Sequence, residues 1–272
     1  MLDTGHATID NSDRIAEAFV AARRAGTSIA AFPGAKPTDF AAAYAIQEQA
    51  IALDGRTILG WKVGRVHPPQ STEHGTDRLA GPIFDSSVIA ASDSVVAMPV
   101  VAGGFAAVEA ELLFRIDRMP DSDPRTLHDA AIMAHVGAVH VGIEIAGSPY
   151  PAINSDGPLV TASDFGNNSG LVTGPELPDW RSRDLTAVTA SVAIDGEEVG
   201  RADMRALPGG PIESVRFLLG HVAARPAPTP LPFWVSAGAI SGVHPIAIGS
   251  TAIATFDDAQ SIACRIVAAG AQ

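Results

Sequence analysis

A single cysteine, Cys264, stands in 272 residues, which excludes an intramolecular disulfide framework and a thiolate metal cluster. Its setting, Ser261-Ile262-Ala263-Cys264-Arg265-Ile266-Val267, reads as a strand, so a core cysteine is the expectation rather than a nucleophile. Positive charge is also scarce. Eighteen Lys and Arg face 30 Asp and Glu, a formal net charge of −12. Such a chain repels phosphate backbones, and no nucleic-acid partner is expected, although a net figure does not exclude a local cationic site for an anionic substrate. No apolar run reaches about 18 residues without interruption, so no membrane span is expected. The first residues, Met1-Leu2-Asp3-Thr4-Gly5-His6, lack a basic and an apolar region, so no signal peptide is expected and the cytoplasm is the default. There is no Gly-x-Ser-x-Gly elbow and no Gly-x-Gly-x-x-Gly opening a helix after a strand, which argues against a serine hydrolase and a dinucleotide-binding dehydrogenase. The histidines give no zinc-site spacing: His135 and His140 are five apart with no Cys or second His pair to accompany them, and His221 falls in an expected helix as a structural residue.

What is present is apolar and finely punctuated. Hydrophobic residues make up 47% of the chain, enough for a sizeable core, and charged residues only 18%, a hint that surface is covered between subunits. Twenty-six glycines and 20 prolines break the chain into short segments. Ser12 is a candidate cap for a helix carrying Ile15, Ala18, Phe19 and Ala22, with Gly26 as its stop. Thr38 is a candidate cap for a second helix ending near Gly55. Strands are predicted over 58–63, 108–116, 138–146, 170–173, 187–194, 233–237, 251–256 and 261–267, with a tight turn at Asp195-Gly196. Two helices interrupt them, one after Thr126 over 127–135 and one entered through Pro211 over 212–224. The pattern predicts an α+β, β-rich fold, a sandwich or roll rather than a doubly wound sheet. His67-Pro68-Pro69-Gln70-Ser71-Thr72 reads as loop, and divides a helical N-terminal region, 1–75, from a β-rich catalytic domain, 76–272.

The most informative segment is Val108-Glu109-Ala110-Glu111-Leu112-Leu113-Phe114-Arg115-Ile116. On a strand, period-two alternation puts Val108, Ala110, Leu112, Phe114 and Ile116 on one face, and Glu109 and Glu111 together on the other. Like charges so placed repel, and a divalent cation between them would turn repulsion into binding; hard oxygen donors suit Mg²⁺, Ca²⁺ or Mn²⁺. A solvated strand face is the plain alternative. Glu144, inside the β-branched run Val139-His140-Val141-Gly142-Ile143-Glu144-Ile145, needs a partner or a metal, and an arginine would also serve. The three carboxylates make a candidate metal site with positions left for water and a bidentate substrate.

Other segments are more ambiguous. Lys62, in Gly60-Trp61-Lys62-Val63-Gly64, is either a surface lysine or a cleft lysine between glycines that admit substrate. Asp85 follows Gly81-Pro82-Ile83-Phe84, read as a turn entering a strand, and could equally be cap chemistry. Asp164-Phe165-Gly166-Asn167-Asn168-Ser169-Gly170 is a Gly/Asn loop that is either a plain turn or a site loop. Ser236 and the small residues after it suit close approach to a ligand or a tight β-connection.

Taken in order, Ala43-Tyr44-Ala45-Ile46-Gln47, Gly60-x-Lys62-Val63-Gly64, Phe84-Asp85, Glu109-Ala110-Glu111-Leu112 and Glu144 resemble the 2-keto-4-pentenoate hydratases and their 4-oxalocrotonate decarboxylase relatives, a branch of the fumarylacetoacetate-hydrolase superfamily. The resemblance runs from about residue 12 to 268. It implies a mixed β-sandwich roll with a small helical N-terminal part, a homo-oligomer, and one Mg²⁺ or Mn²⁺ held by Glu109, Glu111 and Glu144. It further implies Lys62 and Asp85 as catalytic residues, and Asp164, Asn168 and Ser236 as substrate contacts. The implied reaction is water addition to a 2-hydroxy-2,4-dienoate in aromatic-compound catabolism, with decarboxylation of a 4-oxalocrotonate-like diacid, or C–C hydrolysis of an acylpyruvate, as alternatives. A small anionic 2-oxo or 2-hydroxydienoate acid is the implied ligand, and a decarboxylase or aldolase of the same pathway a further candidate partner. The chain departs from the hydratase pattern at Arg65-Val66-His67-Pro68-Pro69 and at Phe165-Gly166-Asn167-Asn168, two segments expected to shape substrate contacts. His67 keeps the hydrolase alternative open.

Overall fold

The computed structural model describes residues 11–270. Two long helices come first, α1 (Asn11–Ala25) and α2 (Phe40–Asp54). Asp39, not Thr38, caps α2, its side chain accepting from the Ala42 amide, and Ser12 lies inside α1 rather than at its cap. Gly26 (φ 63°) and Gly55 (φ 74°) stop the two helices as expected. The short helices are α3 (Gln70–His74), α4 (Asp129–Met133) and α5 (Pro158–Ser163), and α6 (Gly210–Ala223) closes the set. Thus part of the segment read as loop at 67–72 is helical. The helix expected after Thr126 is a single turn capped by His128, because Pro124–Thr126 forms a separate 3₁₀ turn.

The strands are β1 (Ile58–Arg65), β2 (Arg78–Phe84), β3 (Val88–Ala90), β4 (Val96–Val100), β5 (Phe105–Ile116), β6 (Val136–Ser148), β7 (Asn168–Glu176), β8 (Thr189–Ile194), β9 (Glu197–Asp203), β10 (Phe233–Ser236), β11 (His244–Pro245), β12 (Thr251–Phe256) and β13 (Gln260–Ala268). Among the described residues they form two sheets. The larger has the order β2-β1-β10-β5-β6-β7-β3, with β11 added beside β5, and the smaller the order β4-β13-β12-β8-β9. The stretch 81–84, read as a turn, is strand: β2 is buried along its whole length, so its sequence shows no alternation to read. β1, on the N-terminal side of the expected boundary, is an interior strand of the larger sheet, parallel to β10 and antiparallel to β2.

One core joins the sheets. Val108, Ala110, Leu112, Phe114 and Ile116 from β5 meet Ala252, Ala254 and Phe256 of β12 and Ile262, Cys264 and Ile266 of β13, with Val215, Leu218 and Leu219 of α6 in the same cluster. Cys264 is a buried core residue, and burial pushes its thiol up to about 12. A second core packs Ile15, Phe19 and Val20 of α1 and Ile46 and Ala50 of α2 against Phe84, Ile153 and Phe165. The helices thereby rest on the loop 164–167, on the side of the larger sheet opposite the main core. No described helix is long and apolar enough to cross a membrane.

Candidate metal centre

The register of the larger sheet gathers the acidic residues. Glu109 on β5 is the direct partner of Glu144 on β6, and Glu111 is two residues along on the same face. Leu113, next on that face, pairs with Ser236 of β10, and Ser236 pairs with Lys62 of β1. Direct partners share a face, so Lys62, Ser236, Glu111, Glu109 and Glu144 all project from the side facing away from the main core. One oxygen from each of the three glutamates lies within 4.8 Å of the others.

All four ionisable groups are buried: Lys62 is 3% exposed, Glu109 4%, and Glu111 and Glu144 0%. That excludes both the solvated strand face and the surface lysine. Lys62 Nζ stands 3.0 Å from Glu144 Oε2 and 3.9 Å from Glu109 Oε1, and donates to Asn167 Oδ1 at 3.1 Å. Ser236 Oγ donates to Glu111 Oε2 at 2.5 Å, and the Gly238 amide donates to the same oxygen at 2.9 Å. Asn168 Nδ2 donates to Glu144 Oε1 at 2.8 Å.

One lysine against three carboxylates leaves excess negative charge in a dry place. Burial, aided by Glu144, raises Glu109 to about 7 despite Lys62, and burial together with Glu144 and Glu109 holds Glu111 well above the usual carboxylate range. Burial pushes Lys62 down, but Glu109, Glu144 and Glu111 together outweigh it and hold its ammonium above its ordinary value. Two oxygens in the cluster, Glu111 Oε1 and Glu144 Oε2, are buried without a hydrogen-bond donor; the contact of the latter with Lys62 is an ion pair without hydrogen-bond alignment. Orphaned carboxylate oxygens, surplus charge and an all-oxygen donor set fit a hard divalent cation.

A cleft of about 500 Å³ opens on this cluster, with Lys62 and Glu109 in its wall. Asn154, Asn167, Thr161 and Ser241 supply polar lining, and Arg65 and His67 also face it. Burial, helped by Arg65, lowers His67, which leaves it neutral at pH 7. Gly64 lines the cleft, but Gly60 does not: its backbone lies against Trp234, where a Cβ would come within 2.7 Å of the carbonyl oxygen.

Four residues expected at the site, Asp85, Asp164, Asn168 and Ser236, do not line the cleft. Asp85 is exposed at the far end of β2, in a 3₁₀ turn, where its carboxylate accepts from the Ser86 amide. The partner of Lys62 on β2 is Gly81, four residues earlier, roughly 13 Å away at strand spacing. Asp85 is therefore not beside the lysine. Asp164 is buried, but its carboxylate is taken by Arg23 Nε at 2.7 Å and Nη2 at 2.9 Å and by Ser148 Oγ at 2.6 Å, and it does not line the cleft. Asn168 likewise turns to Glu144 rather than the cleft, and Ser236 turns to Glu111. Of the two asparagines of the loop it is Asn167 that faces the cleft, braced by Asn154 Oδ1, which accepts from its Nδ2 at 2.9 Å. Nothing in the sequence pattern marks Asn154, and Arg23 reads as an ordinary basic residue in the last turn of a helix.

No protein-family model matches the chain, and no curated protein matches it. Solved structures do. The 4-oxalocrotonate decarboxylase of Pseudomonas putida G7, complexed with magnesium and adipate, is similar over 94% of this chain and 97% of its own, at 20% identity and a TM-score of 0.78. Fumarylpyruvate hydrolase from Pseudomonas aeruginosa, in complex with Mn²⁺ and pyruvate, covers 76% of this chain and 88% of its own at 20% identity and a TM-score of 0.54. The 2-hydroxyhepta-2,4-diene-1,7-dioate isomerase of Mycobacterium marinum covers 79% and 77% at 18% identity, also with a TM-score of 0.54. These matched structures are fumarylacetoacetate-hydrolase superfamily members, and at such identities the likeness is one of fold.

Proposed function

We propose that the chain is a divalent-cation-dependent lyase of the fumarylacetoacetate-hydrolase superfamily, acting on a small 2-hydroxydienoate or 2-oxo acid. The observation that carries this reading is the convergence of Glu109, Glu111 and Glu144 within 4.8 Å, buried beside the one lysine of a cleft. Those three glutamates would hold Mg²⁺ or Mn²⁺, the class of ion that accompanies the structural relatives. When bound, the cation would supply Lewis-acid stabilisation of negative charge on the substrate's 2-oxo oxygen and carboxylate.

The protein's own residues account for the rest. Ser236 and the Gly238 amide fix Glu111, and Asn168 fixes Glu144, so the donor oxygens are held before any ligand arrives. Lys62, 3.0 Å from Glu144 and 3.9 Å from Glu109, would act as a cation toward the bound acid and as a proton relay at its carbon skeleton. Asn167 holds Lys62 Nζ from the cleft side and offers its amide edge to a bound acid. Water addition to a 2-hydroxy-2,4-dienoate moves the enol proton to the terminal diene carbon and then adds H and OH of water across the remaining double bond. Lys62 would relay the proton and recover it, and the cation, when bound, would stabilise charge on the oxo acid.

Decarboxylation of a 2-oxo diacid is the second reading. It is favoured by Arg65 in the cleft wall, a permanent cation suited to a second carboxylate. Both readings are tested by one panel. The protein is given Mg²⁺ or Mn²⁺ with a monoacid dienoate and with a 4-oxalocrotonate-type diacid, and water addition and CO₂ release are followed separately. Turnover by the wild type should vanish in Glu111→Ala and in excess chelator. Full activity under either condition sinks the proposal.

A further inference from the structure

The backbone between Asp164 and Asn168 runs through three consecutive left-handed residues, Phe165 (φ 53°), Gly166 (φ 59°) and Asn167 (φ 58°). Only glycine is at ease there, so Phe165 and Asn167 must be held by their surroundings. The loop lies against β2 at Gly81, where a Cβ would come within 2.0 Å of the Phe165 carbonyl oxygen. Both of its ends are tied to one side chain of the N-terminal helix. Arg23 Nε and Nη2 donate to the Asp164 carboxylate at 2.7 and 2.9 Å, Nη1 donates to the Asn168 carbonyl at 3.0 Å, and Nη2 also donates to the Gly147 carbonyl at 2.9 Å and, at 3.4 Å, to that of Asp164. The guanidinium carbon stands 5.2 Å from the centre of the Phe165 ring. Ser148 Oγ completes the grip on Asp164 at 2.6 Å, so the clamp ties the loop to β6.

The two residues delivered by this strained turn serve different partners in the cluster. Asn167 accepts from Lys62, and Asn168 donates to Glu144. A change in the turn therefore moves the lysine's partner and a carboxylate's partner together. We infer that Arg23, though it touches neither the cleft nor a carboxylate of the cluster, is a positioning residue of the site: it holds the left-handed 165–167 turn from both ends, and so sets Asn167 on Lys62 and Asn168 on Glu144. The planar fork with separate donors is required for this, and a lysine cannot reach a carboxylate and the Asn168 and Gly147 carbonyls at once.

The inference rests on Glu109, Glu111 and Glu144 being cation ligands, and the test separates the two. Mn²⁺ is titrated calorimetrically into metal-free wild type, Arg23→Ala, Arg23→Lys and Arg24→Ala, with thermal melts of each and turnover alongside. Arg24 is the control. It lies on the same helix, donates to the Leu53 and Asp54 carbonyls at 2.6 and 3.2 Å, and has no link to the loop. Arg23→Ala and Arg23→Lys should weaken Mn²⁺ binding by about tenfold, the loss expected when a ligand's outer support is released, and lower kcat. Arg24→Ala should lower the melting temperature while leaving Mn²⁺ affinity within about twofold of wild type, a margin well inside that loss. Should Arg23→Ala fail to fold, Arg23→Lys against Arg24→Ala decides. Wild-type Mn²⁺ affinity and kcat in Arg23→Lys, or an equal loss in Arg24→Ala, overturns the positioning role. No Mn²⁺ binding by the wild type overturns the metal reading instead.

Discussion

Glu109 and Glu144 face each other as direct cross-strand partners on β5 and β6, both buried. Like charges in that relationship are destabilising on a sheet, and the more so away from water. The protein keeps them, with Glu111 beside them, under a single ammonium. Their protonation and their affinity for a dication are thus two responses to the same crowding.

The first prediction concerns pH. Glu109 is raised from an ordinary carboxylate value to about 7 in the folded chain, and burial with Glu144 and Glu109 beside it raises Glu111 as well. A carboxyl with a raised folded value holds its proton in the native state after the unfolded state has lost it. Stability of the metal-free protein should therefore fall as pH rises from about 4.5, where the unfolded group ionises, to above 7. A dication takes the place of the protons, so Mg²⁺ should restore the melting temperature most at pH 8 and least at pH 5, with protons released on binding. Melting curves at several pH values, with Mg²⁺ and with chelator, measure this. A metal-free protein that grows more stable across that range contradicts it.

The second concerns Lys62. In Lys62→Met the packing volume is kept while the ammonium beside Glu144 and Glu109 is lost. Turnover should drop at least 100-fold, the order of a lost proton-transfer group, while Mg²⁺ affinity is kept or increased because a competing cation has gone. Steady-state kinetics with a parallel metal titration read the two effects apart. Parallel loss of both would make the lysine a scaffold of the metal site.

A pair of variants tests the division between Ser236 and Asp85. Ser236→Ala removes the 2.5 Å bond to Glu111 and leaves only the Gly238 amide on that oxygen, so metal affinity should weaken by about tenfold. Asp85→Asn alters an exposed turn, and kcat/KM should stay within about twofold of wild type, since surface changes of this kind are within about 0.5 kcal/mol. A large kinetic loss in Asp85→Asn would put that residue back in the reaction, most directly through a neighbouring subunit.

The outline of the site was legible in particular residues. Glu-x-Glu in an apolar run names a strand with two carboxylates on one face, and β5 has that form, with its apolar positions in the main core. Gly26, Gly55 and Asp195-Gly196 mark their turns correctly, with positive φ at each. Two features were not legible. β2 is buried on both faces, so period-two alternation, the signal for a strand, is absent from its sequence. Asp85, Asp164 and Asn168 are implied as site residues by the resemblance, and the direction of each side chain depends on a local turn that a matching motif does not encode.

The sequence by itself determined which residues of β5 alternate to one face, where α1 and α2 stop, and that three carboxylates and a lysine are available to hard-cation chemistry. Tertiary structure alone decided that Glu109 meets Glu144, that β1 brings Lys62 to them across β10, and that Asn167 rather than Asp164 looks into the cleft. The reason is that face follows from the two-residue period of a single strand. Register and the left-handed turn at 165–167 are set by contacts between segments far apart in the chain, α1 on the loop and β5 on β6, which no local pattern carries.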